Sequence, residues 1–218
     1  MPRIALIHAL SHSVAPINNA MTELWPQALR MNLLDDSLSA DLAASAGGLD
    51  AVMTQRFMDL ADYAVGTGAQ ALLFTCSAFG PCIDAVARKH AHLPVLKPNE
   101  AMVQEALRLA GDGAGPIGLV ASFAPTLQSM PQEFGAGIAL QTRLVASALT
   151  ALNAGELEAH DHAVLVAAQA LVGQGCGVIA LAQFSMARAA PLLRAQLPVP
   201  VLTTPGSAIA LLKRRLAH

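Results

Sequence analysis

Gly66-Thr67-Gly68-Ala69-Gln70-Ala71-Leu72-Leu73-Phe74-Thr75-Cys76 is matched position for position by Gly173-Gln174-Gly175-Cys176-Gly177-Val178-Ile179-Ala180-Leu181-Ala182-Gln183. In each copy a Gly-x-Gly break precedes a short apolar run of strand character that ends on a polar side chain. The register extends outward. Leu93-Pro94-Val95-Leu96 corresponds to Val199-Pro200-Val201-Leu202 with one residue gained or lost between, and Ala15-Pro16 and Met21 are spaced like Ala124-Pro125 and Met130. Independent matches in one register signal an internal duplication. A period of about a hundred residues means two lobes and not a solenoid.

Within the first repeat, strand-like runs over 4–7, 31–34, 71–75 and 95–96 alternate with helical stretches over 17–29, 49–65 and 81–90. Such a βαβ series implies an α/β fold, each lobe a mostly parallel sheet with helices on both faces. After a helix over 100–110, Gly111-Asp112-Gly113-Ala114-Gly115-Pro116 breaks the chain and a new strand over 117–120 begins. The lobes are therefore expected over 1–98 and 99–205, with a last helix over 206–218 packed back on the first and the active site between them.

Of the 218 residues 54% are apolar, ample for a core, and only 13% are charged, with a net charge of −2. Lys and Arg are scattered, which excludes the basic footprint of a nucleic-acid binder or of a protein docking on an anionic membrane. The apolar opening over 4–7 is too short for a signal segment, and no apolar run reaches the ~18 residues of a membrane span. A soluble, cytoplasmic protein with a small-molecule or protein partner is expected. Three cysteines, Cys76, Cys82 and Cys176, form no C-x-x-C pair, so reduced thiols are the default.

In open parallel sheets ligands gather outside the carboxyl ends of the strands, and Cys76 stands at one of them. Behind it Ser77-Ala78-Phe79-Gly80-Pro81 turns into a helix, whose positive end favours thiolate. The plainer alternative is that Cys76 is a small buried hydrophobe, as Cys82 inside that helix and Cys176 ahead of its strand are expected to be. A phosphatase-like thiol would want an arginine at position 82, where this chain has Cys82. A metal site from His8, His12, Cys76 and His160-Asp161-His162 is disfavoured: the first two flank a loop, and the last group reads as a solvated helix start.

Thr75-Cys76-Ser77-Ala78, the segment Gly118-Leu119-Val120-Ala121-Ser122-Phe123-Ala124-Pro125-Thr126 and the duplicated Pro-Val-Leu strands together resemble the aspartate/glutamate/hydantoin racemase superfamily, with arylmalonate decarboxylase and maleate isomerase, over nearly the whole chain. The resemblance implies two Rossmann-like lobes, pseudo-symmetric, with one cysteine from each on opposite sides of the substrate's α-carbon. One thiolate removes a proton, the other thiol returns one, backbone amides and hydroxyls hold a carboxylate, and no cofactor is needed. It also implies a homo-oligomer.

This chain departs from that pattern, because the second-lobe cysteine falls on Gln183, whose amide has no proton to trade near neutral pH. The resemblance then leaves three chemistries for a racemase- or isomerase-type enzyme acting α to a carboxylate. Cys76 donates to one face of an enolate, as in the decarboxylase, which keeps its single cysteine in the other lobe; the proton should then arrive on the opposite face. Cys76 adds covalently to a double bond in a cis-trans isomerisation. Or His8, at the end of the first strand, replaces the missing base, its alternative being a hydrogen-bonded strand-end histidine.

Gln183 is a candidate to stabilise an enolate. The amides of Ser77, Ala78, Phe184 and Ser185 and the hydroxyls of Ser122 and Thr126 are candidate carboxylate holders, the hydroxyls having helix capping as their alternative. Asp36 and Glu100 also fall at first-lobe strand ends, where an acid would repel an anionic substrate. A non-catalytic metabolite-binding protein, with the cleft closing on a ligand and Cys76 incidental, is the competing class.

Overall fold

The computed structural model describes residues 1–217 as two successive α/β units. The first contains β1 (Arg3–His8), α1 (Val14–Leu24), β2 (Leu29–Leu34), α2 (Ser37–Ala44), α3 (Ala51–Gly66), β3 (Ala71–Phe74), α4 (Gly80–Lys89) and β4 (Val95–Leu96), followed by α5 (Glu100–Leu109). The second contains β5 (Ile117–Ala121), α6 (Ala124–Ser129), β6 (Leu140–Leu144), α7 (Ala146–Asn153), α8 (Leu157–Gly173), β7 (Val178–Leu181), α9 (Ala190–Gln196) and β8 (Val201–Thr203), followed by α10 (Thr204–Leu216). The last residue expected in that helix, His218, lies outside the described residues.

Both sheets are four-stranded and parallel throughout, in the orders β2-β1-β3-β4 and β6-β5-β7-β8. The duplication is thus a duplication of topology. In each sheet the order of winding reverses between the two middle strands, the switch point at which parallel sheets open a crevice. The repeat glycines explain the identical approach to β3 and β7. Gly68 and Gly175 have φ of +88° and +92°, a left-handed conformation that ends α3 and α8 and that side chains resist.

Two helices differ from the sequence reading. The first stops at Leu24 rather than 29, because Trp25-Pro26 cannot carry the helix on, and Leu29 already opens β2. The eight-residue α2 is not evident in the sequence: among Ser and Ala it buries only Leu38 and Leu42, too few apolar positions to show a period.

The middle strands β3 and β7 are buried along their whole length, as strands covered by helices on both faces must be. The covering helices are exchanged between the lobes. Ala208, Ile209, Leu211 and Leu212 of α10 pack with Ile4, Leu6 and Leu73 of the first sheet. Met102, Val103 and Ala106 of α5 pack with Ile117, Leu119 and Val178 of the second. Phe184, just past β7, is also planted in the first-lobe cluster.

At the seam's far end Gly177 meets the Gly111–Pro116 break so closely that a β-carbon there would overlap the carbonyl oxygen of Ala114. The first repeat has Gln70 at the corresponding position, with no such break against it. Gly177→Ala should therefore destabilise the fold by roughly 3 kcal/mol, which in a chain of this size lowers the thermal midpoint by roughly 6–12 °C. A midpoint within about 2 °C of the parent in a thermal melt would show that the break yields freely.

Candidate functional site

The carboxyl ends of the middle strands face one another across the seam and enclose a cavity of about 40 Å³. Cys76 follows β3 and Gln183 follows β7, and both line it, together with Ser77 and Ser185. Thr75, Ser13 and Ser39 add hydroxyls from the first lobe, while Leu10, Phe123 and Leu149 supply apolar wall. A space of this size holds only a water or two.

The lobes are latched beside the cavity. Ser77 Oγ donates to Thr126 Oγ1 at 3.2 Å, and Ser129 Oγ donates to the Ser77 carbonyl at 3.2 Å. A further bridge joins His12 Nε2 to Asn153 Oδ1 at 2.8 Å. Neither Ser122 nor Thr126 caps α6 with its side chain; each is engaged across the site instead.

Gln183 is fixed in one orientation. Its Oε1 accepts the backbone N–H of Ser122 at 2.6 Å and the Ser122 hydroxyl at 3.1 Å. A backbone N–H can be given only to an acceptor, so the oxygen must face Ser122, and the Nε2 hydrogens are left without a protein acceptor among the described residues. At the position where a thiol is expected from the resemblance, this chain presents a fixed hydrogen-bond donor.

Cys76 alone in the run Ala71–Gly80 keeps partial exposure, toward the cavity. Burial nevertheless pushes its thiol up to about 11, against hydrogen bonds from the Ala78 amide and the Ser39 hydroxyl. The thiolate expected from the helix terminus is therefore corrected: at neutral pH Cys76 is a thiol. A single 3-10 turn, Ser77–Phe79, separates it from the start of α4 at Gly80, which weakens the terminus, and the desolvation comes from walls of both lobes. Alkylation of Cys76 by iodoacetamide should accordingly be slow at neutral pH and rise about tenfold per pH unit toward pH 11, as the thiolate fraction does. A midpoint below about pH 8 in that rate profile would contradict the buried thiol.

His8 does not line the cavity; it stands behind Thr75. Its Nδ1 lies 2.8 Å from Thr75 Oγ1 and its Nε2 3.0 Å from Asn32 Oδ1. Asn18 Nδ2 donates to the Val14 carbonyl and to Asn32 Oδ1, both at 2.8 Å. Asn32 Oδ1 is thus an acceptor, which assigns the His8 proton to Nε2 and leaves Nδ1 to accept from Thr75. Burial, opposed by the Asn32 hydrogen bond, lowers the His8 pKa and keeps the ring neutral. Its placement is that of a group that orients Thr75 beside the thiol.

The remaining candidates are dispersed. Ala78 reaches Cys76 through its amide but turns its side chain to a separate cleft, and the Phe184 ring is buried in the first-lobe core. Asp36 is exposed, and Glu100 is bound by Arg215. His160 is no solvated helix start: it is fully buried, and its Nδ1 meets Asp161, which Arg188 grips at 2.8 and 3.0 Å. Cys82 and Cys176 are buried away from the cavity. Ser13, Ser39 and Thr75 are the site residues that sequence reasoning missed; only Thr75 carried a signal, by its place next to Cys76.

The model of the Asp/Glu/Hydantoin racemase family matches residues 14–212. The chain belongs to that family. Among solved structures it is similar to a glutamate racemase of Bacillus anthracis, with a TM-score of 0.77 at 13% identity, covering 100% of this chain and 82% of the other. It is also similar to allantoin racemase of Klebsiella pneumoniae, with a TM-score of 0.70 at 19% identity over 100% of this chain and 88% of the other. A glycine-to-cysteine mutant of arylmalonate decarboxylase gives 0.62 at 17% identity, over 99% and 94%. At these identities the likeness is one of fold. No curated protein sequence matches the chain. Like its family the chain reads as an enzyme of racemase or isomerase type, and among the described residues no helix is long and apolar enough to cross a membrane.

Proposed function

We propose that this racemase-family chain moves a proton at the carbon α to a carboxylate from one side only, without a cofactor. Cys76 bears the proton, and Gln183 holds the oxygen on which the enolate charge collects. The observation that carries this reading is the clamp of Ser122 on Gln183 Oε1, which leaves the Nε2 donors to spare on a residue that lines the same cavity as the thiol. Donors fixed where charge develops stabilise an enolate without reorganising.

A one-sided site has a chemical consequence. A lone thiol that removed a proton and gave it back to the same face would leave the substrate unchanged. Loss of a carboxylate, by contrast, makes the enolate with no base at all. The C–C bond breaks, CO₂ departs, and the electron pair moves onto the enolate oxygen held by Gln183. The S–H proton then passes to the α-carbon, and the resulting thiolate, strongly basic because its pKa is raised, recovers a proton from water. Racemisation is favoured by family membership but requires a second acid or base on the Gln183 side.

Turnover in heavy water, followed by NMR over a panel of small α-substituted carboxylic acids, tests the reading. One-sided transfer gives deuterium at the α-carbon in a single configuration. A product with deuterium on both faces would establish a second acid or base and overturn it.

A further inference from the structure

We infer that the chain carries a second ligand site, apart from the reacting space, for an oxyanionic group, a phosphate or a cluster of carboxylates, held between the lobes. The repeat that pairs Cys76 with Gln183 also pairs two clefts, one on each flank of the seam. The cleft of about 410 Å³ has Ala78, Lys97, Pro125 and Gln128 in its wall, and the one of about 760 Å³ has Ser185, Thr203, Pro16 and Asn19 at the equivalent places. Equivalent in the fold, the two differ in chemistry.

In the smaller cleft the cation is already engaged: Lys97 Nζ lies 2.8 Å from Asp84, and Glu133 adds a further carboxyl. The larger cleft is rich in donors. Arg188 grips Asp161 and Arg194 the Val201 carbonyl, each through Nε and Nη2, which leaves each Nη1 free among the described residues. The helix α10 starts in the same wall with Thr203, Pro205 and Gly206, and the Thr203 side chain caps none of its first amides. Such amides, at the positive end of a helix, favour an anion. Two buried hydroxyls beside them have no partner. One is Ser185 Oγ, on a residue 1% exposed that lines the cleft; the other is Thr204 Oγ1, on a fully buried residue between Thr203 and Pro205. Buried hydroxyls call for hydrogen-bond partners, and the oxygens of a phosphate or carboxylate supply them. Of the other polar groups in the wall, His12 is held by Asn153 and Glu23 is exposed to solvent. Because α1 lines the cleft from the first lobe and α9 and the start of α10 from the second, a ligand here touches both.

Isothermal titration of the full chain with pyrophosphate and with citrate tests the site. It reads affinity without turnover, so the result does not depend on the chemistry at Cys76. At least one probe should bind once per chain with a dissociation constant below about 1 mM. Pyrophosphate alone would mark the ligand as a phosphate, citrate alone as a polycarboxylate, and both would mark a site that reads charge. Gly206→Asp sets a like charge among the donors; a β-carbon there meets nothing within 4 Å, and an acid in a first helical turn favours the fold. It should weaken binding at least ~30-fold, and Arg194→Gln at least ~5-fold. Lys97→Gln, in the equivalent cleft, should leave the affinity within about twofold. Failure of both probes to bind, unchanged binding in Gly206→Asp, or an equal loss in Lys97→Gln overturns the inference.

Discussion

Cys76→Ser should abolish deuterium delivery to the α-carbon while leaving the protein folded. The exchange of sulfur for oxygen keeps the side chain's size and its place beside the Ala78 amide and the Ser39 hydroxyl. What changes is acidity, because an aliphatic hydroxyl holds its proton far more tightly than even a buried thiol. A positioned general acid contributes roughly 10²–10⁴-fold, and a loss in that range is expected in single-turnover assays of proton delivery. A thermal melt supplies the control, since the site is satisfied by the same partners and the midpoint should stay within a few degrees. Were Cys76 a packing residue in a metabolite-binding protein, the variant would keep its ligand affinity and there would be no turnover to lose. A Cys76→Ser protein that protonates substrate at the parent rate would end the proposed chemistry.

Gln183 is expected to respond in two ways, according to what replaces it. Gln183→Leu removes the donor and strands the Ser122 N–H and hydroxyl that now bind Oε1. Removing one preorganised donor from an oxyanion site costs roughly 10²–10³ in rate, and that loss should fall on kcat rather than on substrate affinity. Gln183→Cys instead puts a thiol opposite Cys76. It should sacrifice part of the enolate stabilisation but convert exchange on one face into exchange on both, so that a resolved substrate loses its optical purity. Chiral chromatography after incubation in heavy water reads both effects. If Gln183→Leu is as fast as the parent, Gln183 only packs; if Gln183→Cys remains strictly one-sided, the two positions do not face one carbon.

The internal repeat made most of this visible in the sequence. Matching Gly66–Cys76 to Gly173–Gln183 places both sheets, aligns the left-handed glycines and pairs the thiol with the amide from the sequence alone. Three things stayed hidden, each for a physical reason. Ser39 lies in α2, a helix too small and too poor in apolar residues to announce itself. The protonation of Cys76 depends on desolvation, which the other lobe's Phe123 and Leu149 help to create, so no reading of the first lobe alone could yield it. His160 is buried beside Asp161, which Arg188 grips from a segment well downstream, a contact that spacing does not encode.

The exchange of α5 and α10 bears on how such a chain could have arisen. Each repeat ends in a helix that covers the other repeat's sheet, and Phe184 crosses the seam in the same direction as α10. A half-length chain with this topology would have a bare apolar sheet face unless a second copy lent its terminal helix, so such a unit would be stable only as a swapped dimer. Joining two copies in one chain makes the partners covalent and leaves them free to differ. Only in a joined chain can one copy carry a cysteine and the other a glutamine, since in a dimer of identical chains every change appears on both sides of the seam at once.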